Sequence, residues 1–441
     1  MTDVLEKYDV IVVGAGVAGL TAARFLPRDK RVLVLTKEHP RHSDSYLAQG
    51  GICVRRDEND YDGFYEDTLR AGHGENSPEA VTTMIADSRE IVDELIEAGV
   101  RFARDKNGEL LYTREGGHRK GRILYHADCT GKEITSKLYA YVKKLPNVQI
   151  RPYTVMLDLV IVGGECRGVV VADGKTGALK AVAADYVVLA TGGVGGVFEF
   201  STNYRSLTGD GVAVCAKHGV KLRDVDYIQI HPTTLYTKKR GRRFLVSESV
   251  RGEGAVLLDK NGERFTDELQ PRDVVTAAIY AQMQKDGTKF VRLDLRTIPE
   301  RRVREHFPNI VARCVKEGYD PFAEPIPVVP GQHYFMGGVE SDTEGRTSMP
   351  RLFAVGETCC NGVHGKNRLA SNSLLESIVF ARRAARLIGE TYAPLTETEG
   401  KEATRVLDES VYADRKAWAR ELKETVRKEI EKWREKRAKG E

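Results

Sequence analysis

Residues 363–376, VHGKNRLASNSLLE, join a basic, hydrogen-bonding cluster to the start of an apolar segment. Ser and Asn stand directly before Leu374, and both residue types are favoured where a helix begins. A helix that starts here turns its free N–H groups and positive dipole end outward, which suits an anionic group. A short buried-strand pattern, LFAVGE at 352–357, precedes it. Together they predict a site for an anion and a polar cofactor, although an ordinary capped helix after a loop stays open on these residues alone.

Other groups able to do chemistry are spread through the middle of the chain. They are Glu115 and His118 in the loop REGGH, His231 ahead of a rigid proline in HPT, Glu248 and Arg251 in ESVRGEG, Arg272 in PRDVV, and His333 in HYFMGG. Taken singly, most have an ordinary structural explanation. A lone histidine is usually a hydrogen-bonded core residue, and a Glu/Arg pair at i, i+3 is usually a surface ion pair. Arg272 is the exception, because a cation at a predicted helix start opposes the helix dipole.

A glycine fingerprint near the N-terminus predicts the element that positions these groups. An apolar run at 8–13 leads into GAGVAG at 14–19, a helical segment and a second strand at 31–36. This β-turn-α-β context is typical of a dinucleotide-binding fold, with the pyrophosphate on the helix N-terminus. One expected feature is missing, because Thr36 and Lys37 stand where an acidic residue should end the second strand. A single fingerprint predicts a single dinucleotide.

Two further strand patterns, at 184–193 and 352–357, are predicted to end at the same crevice. The segment between them from 225 to 334 has no glycine fingerprint and reads as an inserted domain. The predicted organisation is a dinucleotide-binding domain in two parts (1–224 and 335–394), a capping and substrate domain (225–334), and a short C-terminal helical segment (395–441). The predicted fold class is α/β: a doubly wound, Rossmann-like domain with an inserted α+β capping domain.

Apolar residues recur at helical spacing near the end of the chain, from Trp418 to Trp433. They predict an amphipathic helix that packs on the body of the protein or on another subunit. A nucleic-acid-binding tail is the sharper alternative, but thirteen basic residues against ten acidic ones in 401–441 disfavour it.

Composition limits the class of protein. A length of 441 residues allows two or three domains, and a net charge of +4 does not favour nucleic-acid binding, though it tolerates a dicarboxylate ligand. The seven cysteines show no CxxC pair, which predicts reduced thiols without disulfides or a metal site. We see no signal peptide or membrane-length apolar run, so we expect a cytoplasmic protein with no membrane partner.

Taken together, the motifs resemble the succinate dehydrogenase/fumarate reductase flavoprotein family. The fingerprint, AQGG, REGGH, HPT, ESVRGEGA, PRDVV, HYFMGGV, GE and HGKNRLASNSLLE occur in that family's order. The resemblance covers about residues 8–390, and so many ordered motifs are very unlikely to recur by chance. It implies an FAD-dependent oxidoreductase acting on a small dicarboxylate.

Three features of this sequence point to a branch of that family that oxidises an amino acid. The respiratory members attach FAD covalently through a histidine, and Asp44 stands at that position, which implies non-covalent FAD. They have an aromatic residue where this chain has Glu115, whose carboxylate could pair with the α-ammonium of L-aspartate. The segment EPIPVVPGQHY at 324–334 is close to the version found in the amino-acid-oxidising members.

The resemblance also implies roles for individual residues. It places FAD on Gly14, Ala15, Gly16, Val17, Ala18, Gly19, Lys37, Asp44, Ser45, Ala48, Gln49, Gly50, Gly51, Val155, Thr191, Gly192, Asp210, Glu357, Ser373 and Leu374. It places the substrate carboxylates on His231, Thr233, Ser247, His333 and Arg368. It assigns catalytic roles to four residues: Arg272, Glu115, Glu248 and Arg251. Arg272 would move a proton and Glu115 would orient the amino group.

The implied reaction is oxidation of L-aspartate to iminoaspartate, with hydride passing from Cα to the flavin. The electron acceptor is O₂, giving H₂O₂, or fumarate. The family context implies the first step of de novo NAD biosynthesis and a hand-off to quinolinate synthase. Two alternatives stay open: a soluble fumarate reductase or succinate dehydrogenase flavoprotein subunit, and a flavin-loaded electron-transfer subunit that needs no substrate groups.

Overall fold

Strands and helices alternate through residues 6–440, the part of the chain that the computed structural model describes. The strands are β1 (Lys7–Val13), β2 (Val32–Thr36), β3 (Ile52–Cys53), β4 (Tyr112–Thr113), β5 (Ile123–Leu124), β6 (Val148–Pro152), β7 (Thr154–Val162), β8 (Glu165–Asp173), β9 (Leu179–Leu189), β10 (Leu222–Arg223), β11 (Ile228–Leu235), β12 (Phe244–Leu245), β13 (Val256–Leu258), β14 (Val291–Asp294), β15 (Ile326–Phe335), β16 (Gly338–Glu340), β17 (Leu352–Ala354) and β18 (Cys359–Cys360). The helices are α1 (Val17–Phe25), α2 (Asp44–Leu47), α3 (Tyr61–Ala71), α4 (Pro78–Glu97), α5 (Thr130–Val142), α6 (Asp210–Lys217), α7 (Glu248–Gly252), α8 (Arg272–Asp286), α9 (Glu300–His306), α10 (Pro308–Lys316), α11 (Asn372–Glu390), α12 (Glu397–Arg405) and α13 (Arg415–Lys439).

The central sheet has the strand order β6-β2-β1-β9-β8-β7, and β17 pairs with the second half of β9. β1 runs parallel to both β2 and β9, and β9 runs parallel to β17. Val13 and Ala354 are both level with Leu189 in the register. The carboxyl ends of β1, β9 and β17 therefore meet at one edge, as the sequence predicts.

Both faces of this sheet are buried, which explains why its strands are almost entirely apolar. Successive side chains on a strand point to opposite faces. Val10 and Val12 belong to the core shared with α1 and α11, whereas Ile11 and Val13 belong to the core shared with α6 and α13. Helices on both faces make a doubly wound α/β sheet, and the predicted fold class is confirmed.

A second, antiparallel sheet of order β12-β11-β15-β14-β13 has a hydrophobic core of its own. Helix α8 packs on β11, so the segment is of mixed α and β structure. The sheet runs from Ile228 to Phe335. The predicted inserted segment, 225–334, contains all of it except that last residue, and the domain boundaries themselves stay a prediction.

The predicted C-terminal helix is present as α13. Trp418, Leu422, Val426 and Ile430 repeat every four residues and are buried. They pack on the body of the same chain, where the Trp418 indole N–H donates to the carbonyl of Leu157 at 3.0 Å. The amphipathic interpretation is confirmed for this helix.

Two further observations concern the cysteines and the apolar character of the helices. The seven cysteines are free, and all of them except Cys129 are buried. Within residues 6–440, none of the helices combines the length and the apolar character needed to cross a membrane.

Candidate active site

A cleft opens where β1, β9 and β17 end and continues to the antiparallel sheet. Most residues assigned to the cofactor line it. They are Gly14, Ala15, Gly16, Val17, Ala18, Lys37, Asp44, Ser45, Ala48, Gln49, Gly50, Gly51, Thr191, Gly192, Asp210, Glu357, Ser373 and Leu374. Their common location follows from the fold, because the strand ends and the loops after them share one edge.

Gly19 and Val155 do not line the cleft, and each has a physical reason. A Cβ at Gly19 would lie 1.9 Å from the carbonyl oxygen of Gly14, so Gly19 lets α1 pack on the turn after β1. Val155 lies on β7 between Thr154 and Met156, which do line the cleft. Because side chains alternate along a strand, Val155 points to the other face.

The turn between β1 and α1 fits the pyrophosphate of FAD. Gly14 has φ +119°, and a Cβ there would lie 2.0 Å from the carbonyl oxygen of Ala190. Only glycine allows this close approach. Helix α1 starts at Val17 with no acidic residue in its first turn, so its N–H groups and dipole face the cleft without a competing negative charge.

Replacing Gly14 with alanine is expected to abolish FAD retention, because the added methyl group forces the turn away from β9. The measurement is the ratio of flavin to protein absorbance after purification, alongside a thermal melt. Gly74→Ala is the matched control, since Gly74 also has positive φ (+75°) but its Cβ would meet nothing within 4 Å. A Gly14→Ala protein with wild-type flavin content would contradict the assignment.

Lys37 and Asp210 form an ion pair beside the end of β2, where the expected acidic residue is missing. Lys37 Nζ lies 2.6 Å from Asp210 Oδ2 and also donates to the carbonyl of Ser206 at 2.8 Å. Asp210 is the first residue of α6. Asp210 therefore brings a carboxylate from another element to the cleft, where Lys37 holds it, and this group fits a ribose hydroxyl.

Buried acceptors line the same part of the cleft. Asp44 Oδ2 and Gln49 Oε1 have no hydrogen-bond partner among residues 6–440, and a Glu357 oxygen accepts from the Phe335 N–H at 3.1 Å. Burial raises the pKa of Asp44 to about 7 and the pKa of Glu357 well above its ordinary value. Unpaired buried acceptors are costly unless a ligand supplies donors. The hydroxyls of the ribityl chain and ribose of FAD are such donors, so these residues fit the cofactor.

At the other end of the cleft, His231 and His333 lie edge to face, with ring centroids 5.1 Å apart. The Thr233 N–H donates to His231 Nδ1 at 3.1 Å, so the proton of the neutral ring is on Nε2. Burial, and then the charge of Arg272, lowers the pKa values of His231 and His333 well below the ordinary value. His231 Nε2 is buried without a partner in the described chain. It is a neutral donor available to a carboxylate.

Arg368 adds positive charge beside the histidines. Its Nε donates to Gln229 Oε1 at 3.2 Å, and its guanidinium lies 4.3 Å from the centre of the Tyr334 ring. Burial, reinforced by the charge of Arg272, lowers the pKa of Arg368 to about 10, so it stays a cation near neutral pH. Arg368 and Arg272 are both buried. Together with the neutral imidazoles of His231 and His333, they suit a ligand with two carboxylates.

Thr233 and Arg251 stand behind the cleft and do not line it. The Thr233 hydroxyl donates to the carbonyl of Val246 at 3.0 Å, and its N–H orients His231. Arg251 is fully buried, donates to the Glu268 carbonyl, and lies 3.4 Å from Glu248 Oε1. Thr233 and Arg251 therefore support His231 and Glu248, which do line the cleft. Ser247 lines the cleft itself.

A chain of charged groups reaches the cleft through Arg272. Arg272 Nε donates to Glu248 Oε2 at 2.5 Å, and Arg272 Nη1 donates to Gln229 Oε1 at 2.7 Å. Burial acts to raise the pKa of Glu248, but Arg272 and Arg251 together hold it below its ordinary value. Arg272 opens α8, as predicted, and Glu248 offsets the unfavourable position of the cation at that helix start.

Glu115 lies between the two halves of the cleft with 2% of its surface exposed. Ser249 Oγ donates to Glu115 Oε1 at 2.6 Å, and Ser371 Oγ donates to Oε2 at 2.5 Å. Burial, and then the charge of Glu248, raises the pKa of Glu115 above its ordinary value. A buried carboxylate in this setting gains from a cationic ligand group.

Ser371 differs in one respect from the sequence expectation. Helix α11 begins at Asn372, within the segment where a helix start is predicted, and Ser371 is its N-cap, but this serine makes no side-chain capping bond. Its hydroxyl is directed to Glu115 instead, and its φ of +61° is the unusual backbone conformation that allows this.

Sequence reasoning also missed Gln229, which joins Arg272 and Arg368 through one amide oxygen. Its Nε2 donates to Asn367 Oδ1 at 2.8 Å. A signal was available, because Gln229 lies two residues before His231 on β11 and alternate strand residues share a face. In the described part of the chain, no group of three His, Cys, Asp or Glu side chains could hold a metal ion.

Comparisons with known proteins agree with this geometry. A family profile described as an FAD binding domain matches residues 9–374. An L-aspartate oxidase of Clostridium perfringens is 47% identical over 378 residues, covering 86% of this chain and 85% of that protein. An L-aspartate oxidase of Clostridium acetobutylicum is 43% identical over 401 residues, covering 91% and 92% respectively.

Solved structures give the same fold. A quinol-fumarate reductase with menaquinol molecules superposes with a TM-score of 0.86 at 33% identity, covering 92% of this chain and 75% of that chain. A variant of the E. coli quinol fumarate reductase gives a TM-score of 0.84 at 32% identity, covering 90% and 72%.

Proposed function

Because the chain belongs to the L-aspartate oxidases of the succinate dehydrogenase/fumarate reductase flavoprotein family, we propose that its cleft binds FAD and oxidises L-aspartate to iminoaspartate. This reaction is the first step of de novo NAD biosynthesis, with O₂ or fumarate as the electron acceptor. The observation that carries the substrate assignment is the buried Glu115 carboxylate, facing the same cleft as two arginines and two neutral histidines.

The anionic ends of the substrate are held by donors. Arg368 can grip one carboxylate bidentately, and His231 Nε2 offers an N–H without a competing partner within residues 6–440. His333 and Ser247 line the same end of the cleft. The α-ammonium then lies toward Glu115, because Glu248, the other carboxylate lining this chamber, is already paired with Arg272 and Arg251.

Glu115 supplies a negative charge that pairs with the α-ammonium group of L-aspartate, a group that succinate lacks. Its two oxygens accept from Ser249 and Ser371, which keeps the carboxylate turned toward the cleft. Bound FAD would supply the acceptor for the hydride that leaves Cα of the substrate. Loss of a hydride from an α-ammonium also requires loss of a proton from nitrogen. Glu115 is the basic group at that nitrogen, and its raised pKa suits it to accept the proton.

Arg272 has different roles in aspartate oxidation and in fumarate reduction. In aspartate oxidation its charge stabilises the substrate carboxylates and faces Glu248. In fumarate reduction a carbanion-like carbon needs a proton, and Arg272 donates it, with Glu248 and Arg251 behind it. Because arginine is normally protonated, donation is the easier of its roles.

Several finer assignments belong to the same proposal. FAD is bound non-covalently, since Asp44 stands where a covalent histidine is found in the respiratory enzymes and its carboxylate accepts from the Tyr204 N–H at 2.9 Å. The free cysteines favour a reducing, cytoplasmic location. Iminoaspartate is short-lived in water, which favours rapid hand-off to quinolinate synthase.

The test is anaerobic bleaching of the yellow protein. L-Aspartate is expected to reduce the flavin within the dead time of manual mixing, and succinate at the same concentration is expected to leave it oxidised. Air should then restore the colour with formation of H₂O₂. Bleaching by succinate and not by aspartate would overturn the substrate assignment while leaving FAD binding intact.

A fumarate reductase or succinate dehydrogenase subunit is the second candidate, and its support is the close likeness in fold to quinol-fumarate reductases. The buried carboxylate of Glu115 opposes it, since a dicarboxylate without an ammonium group places no cation beside that side chain. Rapid fumarate reduction by a reduced viologen dye, with no peroxide formed from aspartate, would favour this second candidate.

A further inference from the structure

We propose that Ser249 is a specificity-determining positioning residue whose hydroxyl holds the Glu115 carboxylate as a negatively charged acceptor, and so favours amino-dicarboxylates over plain dicarboxylates. The inference rests on the proposed function, because it needs an ammonium group on the substrate. Ser249 itself does not line the cleft. It acts through Glu115, with which it makes a 2.6 Å hydrogen bond.

The direction of each hydrogen bond around Glu115 can be assigned. The Gly51 N–H donates to Ser371 Oγ at 3.2 Å, and an N–H can only donate, so the single hydroxyl proton of Ser371 is free for Glu115 Oε2. Ser249 Oγ accepts from Ser247 Oγ at 3.2 Å and donates to Glu115 Oε1. Both carboxyl oxygens are therefore acceptors. This arrangement matches the ionised carboxylate, which has no proton to place.

Backbone packing fixes Ser249 against the loop that carries Glu115. Ser249 lies on the short helix α7, and a Cβ at Gly252, the last residue of α7, would lie 2.2 Å from the carbonyl oxygen of Arg114. A Cβ at Gly50 would lie 2.5 Å from Glu115 Oε1. Glycines at these two positions let α7 and the loop after α2 close on Glu115, so the carboxylate has little room to turn away from Ser249.

The electrostatic setting makes the hydroxyl important. The titratable and charged groups that act on Glu115 from the elements packed around it are Glu248 and Arg251 on α7, Arg272 on α8, Arg368 before α11, and Cys53 on β3. Burial, and then Glu248, raises the pKa of Glu115, and the serine hydroxyls work in the opposite direction. Loss of one hydroxyl moves Glu115 toward its neutral form.

A neutral Glu115 affects the two substrate classes differently. It cannot pair with an ammonium group, so binding of L-aspartate weakens as the pH falls through the pKa of Glu115. It removes a negative charge from beside a dianion, so binding of fumarate is unchanged or improves. A purely structural role for Ser249 would weaken both reactions together.

The experiment is the pH profile of kcat/KM for L-aspartate in the Ser249→Ala holoenzyme. Its acidic limb is expected to move upward by about one pH unit, with a loss of about tenfold or more at the acidic end and recovery at higher pH. The carboxylates of free aspartate titrate near or below pH ~4, so they do not account for a limb above that range. KM for fumarate with a reduced viologen dye is measured on the same preparation.

Ser249→Thr is the matched variant, because it keeps the hydroxyl and is expected to restore the wild-type limb. An unmoved limb in Ser249→Ala, or equal losses with aspartate and fumarate, would overturn the inference. A wild-type enzyme that does not oxidise aspartate would instead overturn the proposed function, so the two failures are distinguishable.

Discussion

Glu115→Gln is expected to lower kcat/KM for L-aspartate by about 100-fold to 1,000-fold while leaving fumarate reduction close to the wild-type rate. Glutamine keeps the shape of the side chain but removes the charge. An ammonium group buried beside it loses its counter-ion, and loss of one partner of a buried charge pair costs about 2–5 kcal/mol. Glutamine also cannot accept the proton that leaves the substrate nitrogen.

The measurement is stopped-flow reduction of the flavin by L-aspartate without oxygen, beside dye-linked fumarate reduction. The wild-type acidic limb is expected above the ordinary pH range of a glutamate, because burial and then Glu248 raise the pKa of Glu115, and it should be absent in the glutamine variant. Glu109→Gln is the matched control, since Glu109 is exposed. Equal losses for aspartate and fumarate would contradict the role given to Glu115.

Local sequence patterns predict the framework of this site well. Gly19 is required by its close approach to the Gly14 carbonyl oxygen within one β-turn-α unit, so the signal and its cause lie within a few residues. The repeat from Trp418 to Ile430 likewise predicts the buried face of α13, because a helix places every fourth residue on one side. Such features depend little on the rest of the chain.

The hydrogen bonds that adjust the site could not be predicted in this way. Glu115 meets Ser249 and Ser371, which are 134 and 256 residues further along the chain. A serine before a helix is ordinarily read as a cap, and nothing local shows that the hydroxyl of Ser371 turns to a glutamate instead. Only the packing of three separate segments brings these groups together.

The alternation of side chains along a strand sets a second limit on what the sequence can predict about the site. The residues on one face of a strand follow from the position of any one of them, so the assignment of His231 could have led to Gln229. For β7 the sequence offers no such anchor, and the face that Val155 takes is set by its regular pairing with Ala172 of β8. Alternation alone shows which residues share a face, but not which of the two faces meets the cleft.

Arg272→Lys is expected to lower fumarate reduction by about 100-fold to 10,000-fold, the range typical of a lost general acid, and aspartate oxidation far less. Lysine keeps a positive charge beside Glu248, so the buried carboxylate retains a counter-ion and the fold is preserved. It cannot reproduce the planar arrangement in which Nε donates to Glu248 and Nη1 donates to Gln229. The proton donor is thereby displaced from the substrate carbon, while the charge that stabilises a bound dianion remains.

The two rates are measured on one preparation, with dye-linked fumarate reduction in one arm and peroxide formation from L-aspartate in the other. Arg301→Lys is the matched control, because the Arg301 side chain is 89% exposed and, within residues 6–440, pairs only with the exposed Glu305 on its own helix. A proton-transfer role predicts a solvent isotope effect on fumarate reduction that grows in the lysine variant. If both reactions fell by the same factor, Arg272 would act through charge and position alone, and the proton delivered to fumarate would have to come from another group in the cleft.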